Sequence, residues 1–375
     1  MKVLHINSYF NGSAFYKNLY EKQVEKGIDL KVYVPVNYST NVSSLNLGEY
    51  TTISANHGKN DRYIFRMKHS KIYKDLIRNL DVDNYELIHA HSLFSNGFIA
   101  KKIYEDYKIP YIVAVRNTDI YTFFKYMVHL RKTGIDILKK AEKVIFLSKG
   151  YRNYIMNNYI PDELKEQIES KSIVVPNGIE NFWFNNQAKR KRDFNNKIKL
   201  IYVGKINKNK NISATIKAIE ILKRKGFEVR FTIVGDVEDE TIYNEIKDLP
   251  FVKYLGSMSK EGLLEIYRDN DIFVMPSIHE TFGLVYAESI SQGVPVIYTK
   301  GQGFDGQFEE GMVGYSVNSS SSEQIAQKII SIIKKYDVIS KNCLNLSHKF
   351  KWEFIEQEYN NIYSNVINNQ NYIRK

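Results

Sequence analysis

Short runs of apolar and β-branched residues alternate with helix-length amphipathic segments, and this alternation occurs twice along the chain. In the first half the runs are residues 2–9, 29–36, 87–92, 111–117, 143–148 and 172–178; in the second half they are 199–204, 229–235, 252–256, 272–277, 294–299 and 313–317. Apolar strands that alternate with helices are typical of parallel sheets covered on both faces. The pattern therefore predicts an α/β protein with two doubly wound, Rossmann-like domains.

The length of 375 residues also favours two domains. We predict a first domain over residues 1–178, a polar, Asn-rich linker over 179–197 and a second domain over 198–351. A terminal helix is expected at about 352–375, from apolar residues at positions 354, 355, 359, 362, 363 and 366. A ligand of two such domains would lie beyond the carboxyl ends of the strands, in the cleft across which the domains face each other.

The cysteine content and the absence of long apolar runs indicate where the protein resides. Cys343 is the one cysteine, so no disulfide forms within the chain and a reducing compartment fits. The N-terminal sequence lacks the long apolar region of a secretory signal, and no apolar run approaches the ~18–20 residues that span a bilayer. We therefore expect a cytoplasmic protein.

The formal net charge is +11, and lysine and arginine cluster at residues 62–78, 129–140 and 188–194. Such a basic surface can bind three classes of partner: nucleic acid, an anionic membrane, or an anionic small molecule. For each single cluster, a solvated basic surface is the alternative. Charge alone therefore does not select the partner.

The stretch "ETFGLVYAE", residues 280–288, sets two carboxylates around an apolar run. We predict a strand before it and a helix over 281–290, so that Glu280 lies at the turn and Glu288 about 12 Å along the helix. Between the carboxylates, the backbone N–H groups of Thr281, Phe282, Gly283 and Leu284 would face an anion at the helix N-terminus.

This arrangement suits a ligand with hydroxyl groups at both ends and phosphates between them, which describes a sugar nucleotide. Gly283 would let the backbone approach the ligand closely. The alternative is that Glu280 caps the helix and Glu288 is a solvated surface residue. The stretch alone leaves both interpretations open.

A second element, "YVGKINKNKN" at residues 202–211, follows a strand and precedes a helix. Gly204 ends the strand, and Lys205 and Lys210 could neutralise a diphosphate and stabilise it as a leaving group. A basic loop without this role is the alternative, and Lys208 competes for the same assignment.

With these motifs the sequence resembles glycosyltransferase family 4, the bacterial polysaccharide-type retaining enzymes of the GT-B fold. "ETFGLVYAE" resembles the family's E-x7-E motif, "GKINKNK" its Gly-Arg-x4-Lys element, and "PNGIENF" its Pro-Asn-Gly element at the interdomain linker. The resemblance implies that Glu280 contacts the transferred hexose, that Glu288 contacts the ribose, and that Lys205 and Lys210 contact the diphosphate. It also implies that the terminal helix crosses back onto the N-terminal domain.

The sequence departs from the family pattern at several positions. Lys205 replaces the usual arginine, which keeps the charge but loses bidentate geometry. Gly12 in "FNGSAF" stands where the family has a Gly-Gly pair in a donor-binding loop. Arg116 stands near the place of a common histidine, where it pairs either with phosphate or acceptor, or with Asp119. His91 in "HAHS" contacts the acceptor or sugar, or is a structural histidine.

We expect no metal and no other cofactor. The "DVD" segment at 81–83 has the Asp-x-Asp pattern of metal-dependent transferases, but three residues in a turn before a strand are a weak match, and the paired lysines would already supply the metal's charge. The sequence shows no Cys/His cluster with zinc spacing.

The predicted function is transfer of a hexose from a nucleotide diphosphate sugar to a glycan or lipid-linked glycan, in the synthesis of a cell-surface polysaccharide such as a capsule. UDP is favoured by family frequency. The basic, aromatic-rich segments of the first domain would allow peripheral contact with an anionic membrane at its inner face. Two rivals stay open: a sugar-nucleotide epimerase or hydrolase of the same fold, and a basic nucleic-acid-binding protein, which leaves Glu280 and Glu288 unexplained.

Overall fold

The computed structural model describes residues 1–10, 15–189, 191–192 and 194–373, and the chain divides into two compact units. The first unit comprises Met1–Leu147, Arg152–Val175 and the C-terminal stretch from Trp352; the second comprises Ser148–Tyr151 and Pro176–Lys351. Each unit has its own parallel sheet.

The first unit contains a seven-stranded parallel sheet in the order β3-β2-β1-β4-β5-β6-β7. Its strands are β1 (Lys2–Ile6), β2 (Asp29–Asn37), β3 (Thr51–His57), β4 (Leu87–Ala90), β5 (Tyr111–Ala114), β6 (Lys143–Phe146) and β7 (Ser172–Val174). The helices along this part of the chain are α1 (Phe15–Glu25), α2 (Phe65–Asn79), α3 (Ser95–Tyr107), α4 (Arg131–Lys140), α5 (Lys149–Asn158) and α6 (Asp162–Glu169).

Strand β3 was not among the predicted strands. Its sequence, TTISANH, is largely polar, and it pairs with β2 alone at the edge of the sheet. Most of its residues are only partly buried. An edge strand of this kind lacks the continuous apolar run by which the central strands were recognised.

The second unit contains a six-stranded parallel sheet in the order β10-β9-β8-β11-β12-β13. Its strands are β8 (Lys197–Val203), β9 (Glu228–Val234), β10 (Val252–Tyr254), β11 (Ile272–Val274), β12 (Val296–Thr299) and β13 (Gly314–Val317). Its helices are α7 (Asn181–Asn185), α8 (Ile212–Arg224), α9 (Glu240–Ile246), α10 (Lys260–Asp269), α11 (Leu284–Ser291), α12 (Ser322–Lys334) and α13 (Tyr336–Leu346).

The segment that we predicted as a linker, 179–197, belongs to the second unit. Its aromatic residues form α7, where Trp183 and Phe184 are buried, and its last residue begins β8. Arg190 and Asp193, which are part of the basic cluster 188–194, lie outside the described residues. Counting polar residues missed the two aromatic side chains that pack into the second unit.

The terminal helix, α14 (Trp352–Ile373), belongs to the first unit. Ile355, Tyr359, Ile362, Tyr363 and Val366 are buried in a core that includes residues of α1, β1 and β2. Phe354, which we counted among the apolar positions of the buried face, is 50% exposed.

The topology places the loops that matter next to one another. In the second unit β8 lies between β9 and β11, so the connections that follow β8 and β11 leave the same carboxyl edge on adjacent strands. In a doubly wound sheet this switch point is where ligands bind. The first candidate motif, residues 202–211, extends from β8 through the connection that follows it, and the second, residues 280–288, begins in the connection after β11 and continues into α11.

Among the described residues, no helix combines the length and the apolar character that a membrane span requires.

Candidate functional site

The two carboxylates of the stretch 280–288 lie on a loop and on the short helix that follows it. Strand β11 ends at Val274 and α11 begins at Leu284, so Glu280 belongs to the loop and Glu288 to the helix. The predicted helix start at residue 281 is wrong, because Gly283 has a φ of 72° and directly precedes the first helical residue. The distance of about 12 Å along a helix that we expected between the carboxylates therefore does not apply.

Glu280 and Lys210 form an ion pair between the two loops. Lys210 Nζ lies 2.6 Å from Glu280 Oε2, and the side chains are only 21% and 12% exposed. Glu280 Oε1 accepts a hydrogen bond from the backbone N–H of Thr281 at 3.1 Å, and the backbone N–H of Glu280 donates to Gln302 Oε1 at 3.0 Å. The site thus holds an ammonium and a carboxylate in one fixed, mostly buried position.

Two asparagines attach the Lys210 loop to the Glu280 loop. Asn209 Oδ1 accepts from the backbone N–H of His279 at 3.0 Å, and Asn209 Nδ2 donates to the carbonyl of His279 at 2.8 Å. Asn211 Nδ2 donates to the carbonyl of Pro276 at 3.0 Å. These bonds fix the backbone on both sides of the ion pair, so the relative position of Lys210 and Glu280 does not depend on the two side chains alone.

Lys205 has a different environment from Lys210. Its side chain is 63% exposed, and Nζ lies 3.4 Å from Glu238 Oε1, while Asn207 Nδ2 donates to Glu238 Oε2 at 2.6 Å. Gly204, just before it, has a φ of 152°, which favours glycine. The structure therefore pairs Lys205 and Lys210 with two different carboxylates, whereas we expected both ammonium groups around one diphosphate.

Glu288 lies on the partly exposed face of α11, one turn after Leu284. Burial, reinforced by the charge of Glu180, raises the pKa of the Glu288 carboxyl to about 7, and a hydrogen bond with Tyr267 opposes the shift. Near neutral pH this carboxyl therefore exists in both protonation states. Phe282, by contrast, is only 1% exposed and serves the core.

A third loop, after β12, lies against the Glu280 loop. The backbone N–H of Gly303 donates to the carbonyl of Glu280 at 2.8 Å. A Cβ atom at Gly303 would lie 1.8 Å from the carbonyl oxygen of Thr281, so only glycine fits. The Asp305 carboxylate of this loop accepts from the backbone N–H of Gly301 at 2.7 Å and so shapes the loop itself.

Gly12, the remaining candidate for donor binding, lies outside the described residues. The three weaker candidates, His91, Arg116 and Asp119, lie in the first unit. Asp119 is fully buried and accepts hydrogen bonds from the backbone N–H groups of Leu93, Phe94 and Arg116 at 3.0, 3.0 and 2.8 Å. Burial nevertheless raises its pKa to about 6. Its carboxylate thus organises the backbone after β4 and β5.

Arg116 is directed towards β4. Its Nε–H donates to the carbonyl of His91 at 3.2 Å, and its side chain also hydrogen-bonds Tyr359. Among the described residues, no ion pair within 4.0 Å joins Arg116 to Asp119, so the pairing that we considered for these two side chains does not form. The structure leaves the proposed contacts of Arg116 with phosphate or acceptor as a prediction.

His91 belongs to a buried cluster with His5 and His89. His91 Nε2 lies 3.0 Å from His5 Nδ1, and the His89 Nδ1 lies 2.7 Å from the hydroxyl of Tyr363. Burial holds the pKa of each histidine well below its usual range, so the imidazoles are neutral. Since these hydrogen bonds join β1, β4 and α14, the cluster has a clear structural role.

This cluster is also where the described part of the chain could hold a metal ion. The ligand atoms of His5, His89 and His91 lie within 4.8 Å of one another, and neutral imidazoles are good ligands for zinc and copper. No zinc spacing was visible in the sequence because His5 is 84 positions from His89, and only the adjacency of β1 and β4 brings them together.

Several site residues were absent from the sequence analysis. Tyr267 lies on α10, and Gln302 and Gly303 lie in the Gly-rich connection after β12; the sequence analysis assigned none of them a role. Asn209 and Asn211 do lie within the quoted stretch "KNKN". Their alternation with the lysines was the available signal, because asparagine side chains commonly bond the backbone of neighbouring turns.

Residues 184–350 match the family model described as "Glycosyl transferases group 1". The chain is 25% identical over 301 residues to an uncharacterized glycosyltransferase of Methanocaldococcus jannaschii, with 76% of this chain and 75% of that protein covered. It is 28% identical over 238 residues to the capsular polysaccharide biosynthesis glycosyltransferase CapM of Staphylococcus aureus, with 59% and 62% covered.

Solved structures give the same fold. The lipopolysaccharide outer core galactosyltransferase WaaB, in its apo form, superposes with a TM-score of 0.75 at 15% identity, covering 97% of this chain and 100% of that one. HepE of Anabaena in complex with UDP-glucose superposes with a TM-score of 0.68 at 16% identity, with the same coverage. The α/β architecture with two Rossmann-like domains of the GT-B fold is thereby confirmed, and the comparisons support the glycosyltransferase superfamily.

Proposed function

We propose that this protein is a retaining glycosyltransferase of family 4, which transfers a hexose from a UDP-sugar to a hydroxyl of a glycan or lipid-linked glycan acceptor. The observation that carries the proposal is the Lys210–Glu280 ion pair at the switch point of the second sheet, inside the segment that matches the group 1 transferases. The relationship to CapM supports a role in the synthesis of a cell-surface polysaccharide such as a capsule.

Donor binding would exchange the partner of Lys210. The ammonium group is bonded to Glu280 in the structure, and a diphosphate carries more negative charge than one carboxylate. The incoming diphosphate therefore takes Lys210, and Glu280 becomes available to accept hydrogen bonds from the hexose hydroxyls. One ion pair thus holds both groups in position until the donor arrives, which reduces reorganisation during the reaction.

Glu288 would bind the ribose. Its carboxyl lies on the partly exposed face of α11, beyond Leu284, and as a carboxylate it accepts hydrogen bonds from two vicinal hydroxyls. Ribose hydroxyls supply these donors. The group is strongly desolvated, and hydrogen bonds from the ligand would compensate the cost of its negative charge.

UDP is the nucleotide that the comparisons support, because the similar structure of HepE contains UDP-glucose. In the reaction the bond between the anomeric carbon and the diphosphate oxygen breaks, and the acceptor oxygen bonds to the same face of that carbon. The departing phosphate oxygen takes the acceptor proton. Lys210 and the backbone N–H groups at the start of α11 stabilise the negative charge that develops.

We assign no nucleophile from the enzyme, because in this proposal the Glu280 carboxylate accepts hydrogen bonds from the hexose hydroxyls and the departing phosphate oxygen takes the acceptor proton. We also propose that no metal takes part. The leaving group needs positive charge, and Lys210 and Lys205 supply it from the β8 connection.

The proposed place of action is the inner face of the cell membrane, which we infer from exposed apolar side chains beside basic ones in the first unit. Tyr63, Ile64 and Met67 are 73%, 55% and 41% exposed, around the start of the basic helix α2. Such a surface suits peripheral contact with anionic lipid.

The test is a turnover assay with UDP-glucose, UDP-galactose, UDP-N-acetylglucosamine and GDP-mannose in EDTA, followed by proton NMR. One donor should be hydrolysed slowly without acceptor, with the α-anomer released first, and glycosylated product should form when a panel of decyl glycosides and decyl phosphate sugars is added. Lys210→Met should reduce turnover by roughly 10²–10³-fold, while replacement of Lys217, an exposed lysine on α8, by Met should leave turnover unchanged.

Four results would contradict the proposal or parts of it. Release of the β-anomer first would contradict retention, and loss of turnover in EDTA would contradict metal independence. Turnover that never yields a glycosylated acceptor would favour a hydrolase or an epimerase. Absence of turnover for every donor, together with salt-sensitive binding of a DNA or RNA duplex, would favour the nucleic-acid-binding protein instead.

A further inference from the structure

A cavity of about 360 Å³ lies within the first unit, at the carboxyl edge of its sheet. Asn37 and His57 line it as the last residues of β2 and β3, and Ser95 and Asn96 line it at the start of α3. This edge includes the switch point of the sheet, where β1 is flanked by β2 and β4. A pocket in this place is where ligands bind in doubly wound domains.

Lys68 is the one charged side chain among the described residues that line the cavity. It is partly buried, and burial lowers its pKa. The negative charge of Asp61 opposes this lowering of the Lys68 pKa. Asp61 is already engaged, however, because its carboxylate accepts hydrogen bonds from Lys71 Nζ at 2.9 and 3.1 Å and from the backbone N–H of Gly58 at 2.8 Å. Within the described residues Lys68 thus has no carboxylate within 4.0 Å. A desolvated ammonium without a counter-ion is a binding site for an anionic group.

The His57 ring offers a hydrogen-bond acceptor to the same cavity, because a series of hydrogen bonds determines which of its nitrogens carries the proton. The amide of Asn56 is oriented by its Nδ2, which donates to Asp75 Oδ2 at 3.1 Å and to the Tyr33 hydroxyl at 2.7 Å. Asn56 Oδ1 therefore faces His57 Nδ1 at 2.9 Å, and Nδ1 must carry the proton. Burial, with the charge of Lys68, lowers the pKa of His57 to about 4, so its Nε2 keeps a free lone pair at neutral pH. A lone pair of this kind suits a hydroxyl group.

Two more lining residues have unpaired polar atoms. His69 Nδ1 lies 2.7 Å from the carbonyl of Phe65 and carries the proton, which leaves Nε2 without a partner among the described residues. Asn96 Oδ1 accepts from the backbone N–H of Ser8 at 3.3 Å, and Asn96 Nδ2 has no partner there either. Buried polar atoms are normally paired, so two unpaired atoms on lining residues mark the polar side of this cavity.

Pro35, Val36, Ile72 and Ile99 make part of the remaining wall apolar, and Phe123 adds an aromatic ring. Phe123, which is partly exposed, stacks on Phe94 with ring centroids 4.6 Å apart and meets Phe65 edge-on at 5.8 Å. The ring is thereby held rigidly at the cavity. An aromatic face beside hydroxyl-binding groups accommodates a sugar ring, whose C–H surface is apolar.

We infer that this cavity binds the acceptor, and that the acceptor is a sugar carrying a phosphate or carboxylate group, with Lys68 on the anionic group and His57 Nε2 on a sugar hydroxyl. The identification of the occupant as acceptor rests on the proposed function; the chemistry of the cavity does not. A soluble sugar phosphate and a lipid-linked sugar phosphate present the same groups, and they are distinguished by experiment.

Titration calorimetry with α-D-glucose 1-phosphate, glucuronic acid, glucose, decyl phosphate and inorganic phosphate tests the inference on the full chain. We expect the sugar phosphate or sugar acid to bind at least ten-fold more tightly than glucose, and Lys68→Gln to remove this preference. Lys74→Gln, which removes an exposed lysine from the same helix, should keep it. Tighter binding of decyl phosphate than of glucose 1-phosphate would assign the lipid-linked source.

A second readout keeps the test independent of folding defects. His57→Gln should weaken glucose 1-phosphate binding several-fold without changing the preference over glucose, because it alters the hydroxyl contact and not the charge. Equal binding of glucose and glucose 1-phosphate to the wild type, or an unchanged preference in Lys68→Gln, would overturn the inference. UDP binding is measured on the same samples. Absence of UDP binding would contradict the proposed function and leave only an anion-binding cavity. Normal UDP binding without a preference for anionic sugars would contradict this inference alone.

Discussion

The carboxyl edges of the two parallel sheets resemble each other in topology but differ in how their charged and polar side chains are paired. At the second sheet, Lys210 and Glu280 satisfy each other, and asparagines bond the two loops together. At the first sheet, Lys68 has no carboxylate partner among the described residues, and His69 and Asn96 have unpaired polar atoms. The fold is shared, but the chemistry is not, so the function of each edge must be derived from its side chains.

The difference has a physical explanation in the ligands that we propose. A diphosphate leaving group needs charge that is fixed before the reaction, and a prearranged ion pair provides it with little reorganisation. An acceptor must instead be recognised and released, and an unpaired ammonium gains most from an anionic partner that comes and goes. In this proposal the first edge selects the acceptor and the second carries out catalysis.

Lys210→Met should have the largest effect, because it removes the charge that stabilises the leaving group. We expect kcat for the preferred UDP-sugar to fall by roughly 10²–10³-fold, as for the loss of one donor to a developing charge. Steady-state kinetics measures this, with Lys217→Met as the matched control on the exposed side of α8. A fall of less than five-fold would show that Lys210 is structural. It would contradict the claim that the edge of the second sheet holds the charge needed for catalysis.

Gly303→Ala should come next, because it displaces the loop that supports Glu280. The new Cβ would lie 1.8 Å from the carbonyl oxygen of Thr281, and overpacking of this kind costs about 1–3 kcal/mol of stability. Thermal unfolding and UDP-sugar turnover should both fall. Gly58→Ala in the first unit is the control: its nearest neighbour would lie 3.9 Å away, so stability and turnover should be unchanged. Normal turnover in Gly303→Ala would mean that the third loop does not position the site.

Glu288 should make nucleotide binding depend on pH. Its pKa is raised to about 7, so the carboxylate, which binds the ribose hydroxyls, is lost as the pH falls through 7. The affinity for UDP should therefore rise about ten-fold from pH 6 to pH 8 and then level off. Calorimetry at several pH values measures the profile, and Glu288→Gln should flatten it, whereas Glu245→Gln, an exposed carboxylate on α9, should not. An affinity that falls with rising pH would show that the protonated form binds.

Lys205→Ala should have the smallest effect. The side chain is 63% exposed, and exposed charges are screened by water and salt. We expect a loss of turnover of no more than a few-fold, largest at low ionic strength and absent in high salt. Kinetics at two salt concentrations measures it. A loss as large as that of Lys210→Met would show that the two lysines contribute equally to the charge on the leaving group.

The sequence predicted the architecture well where strands are apolar on both faces, as in β1 and β8. It missed β3, because an edge strand with polar residues lacks that pattern. It predicted Glu280 and Lys210 as site residues through their motifs, but it did not predict that they pair, since a distance between side chains 70 positions apart depends on the order of β8 and β11.

The other residues at the two carboxyl edges are also brought together only by tertiary structure. Gln302 and Gly303 reach the Glu280 loop from the connection after β12, and Lys68 lines its cavity from a helix that we described only as basic. The sequence alone does not distinguish Lys68 from the other lysines of that helix. What distinguishes them is that Asp61 binds Lys71 and leaves Lys68 unpaired, which depends on the geometry of the turn before α2.

The most direct test of the account is a titration of UDP into the wild type and into Lys210→Met and Glu288→Gln variants, in EDTA at pH 8. We predict micromolar binding to the wild type, at least ten-fold weaker binding to each variant, and no change in Lys217→Met and Glu245→Gln. Wild-type affinity in both site variants, or wild-type binding that requires a divalent metal, would contradict the claim that the switch point of the second sheet is the donor site.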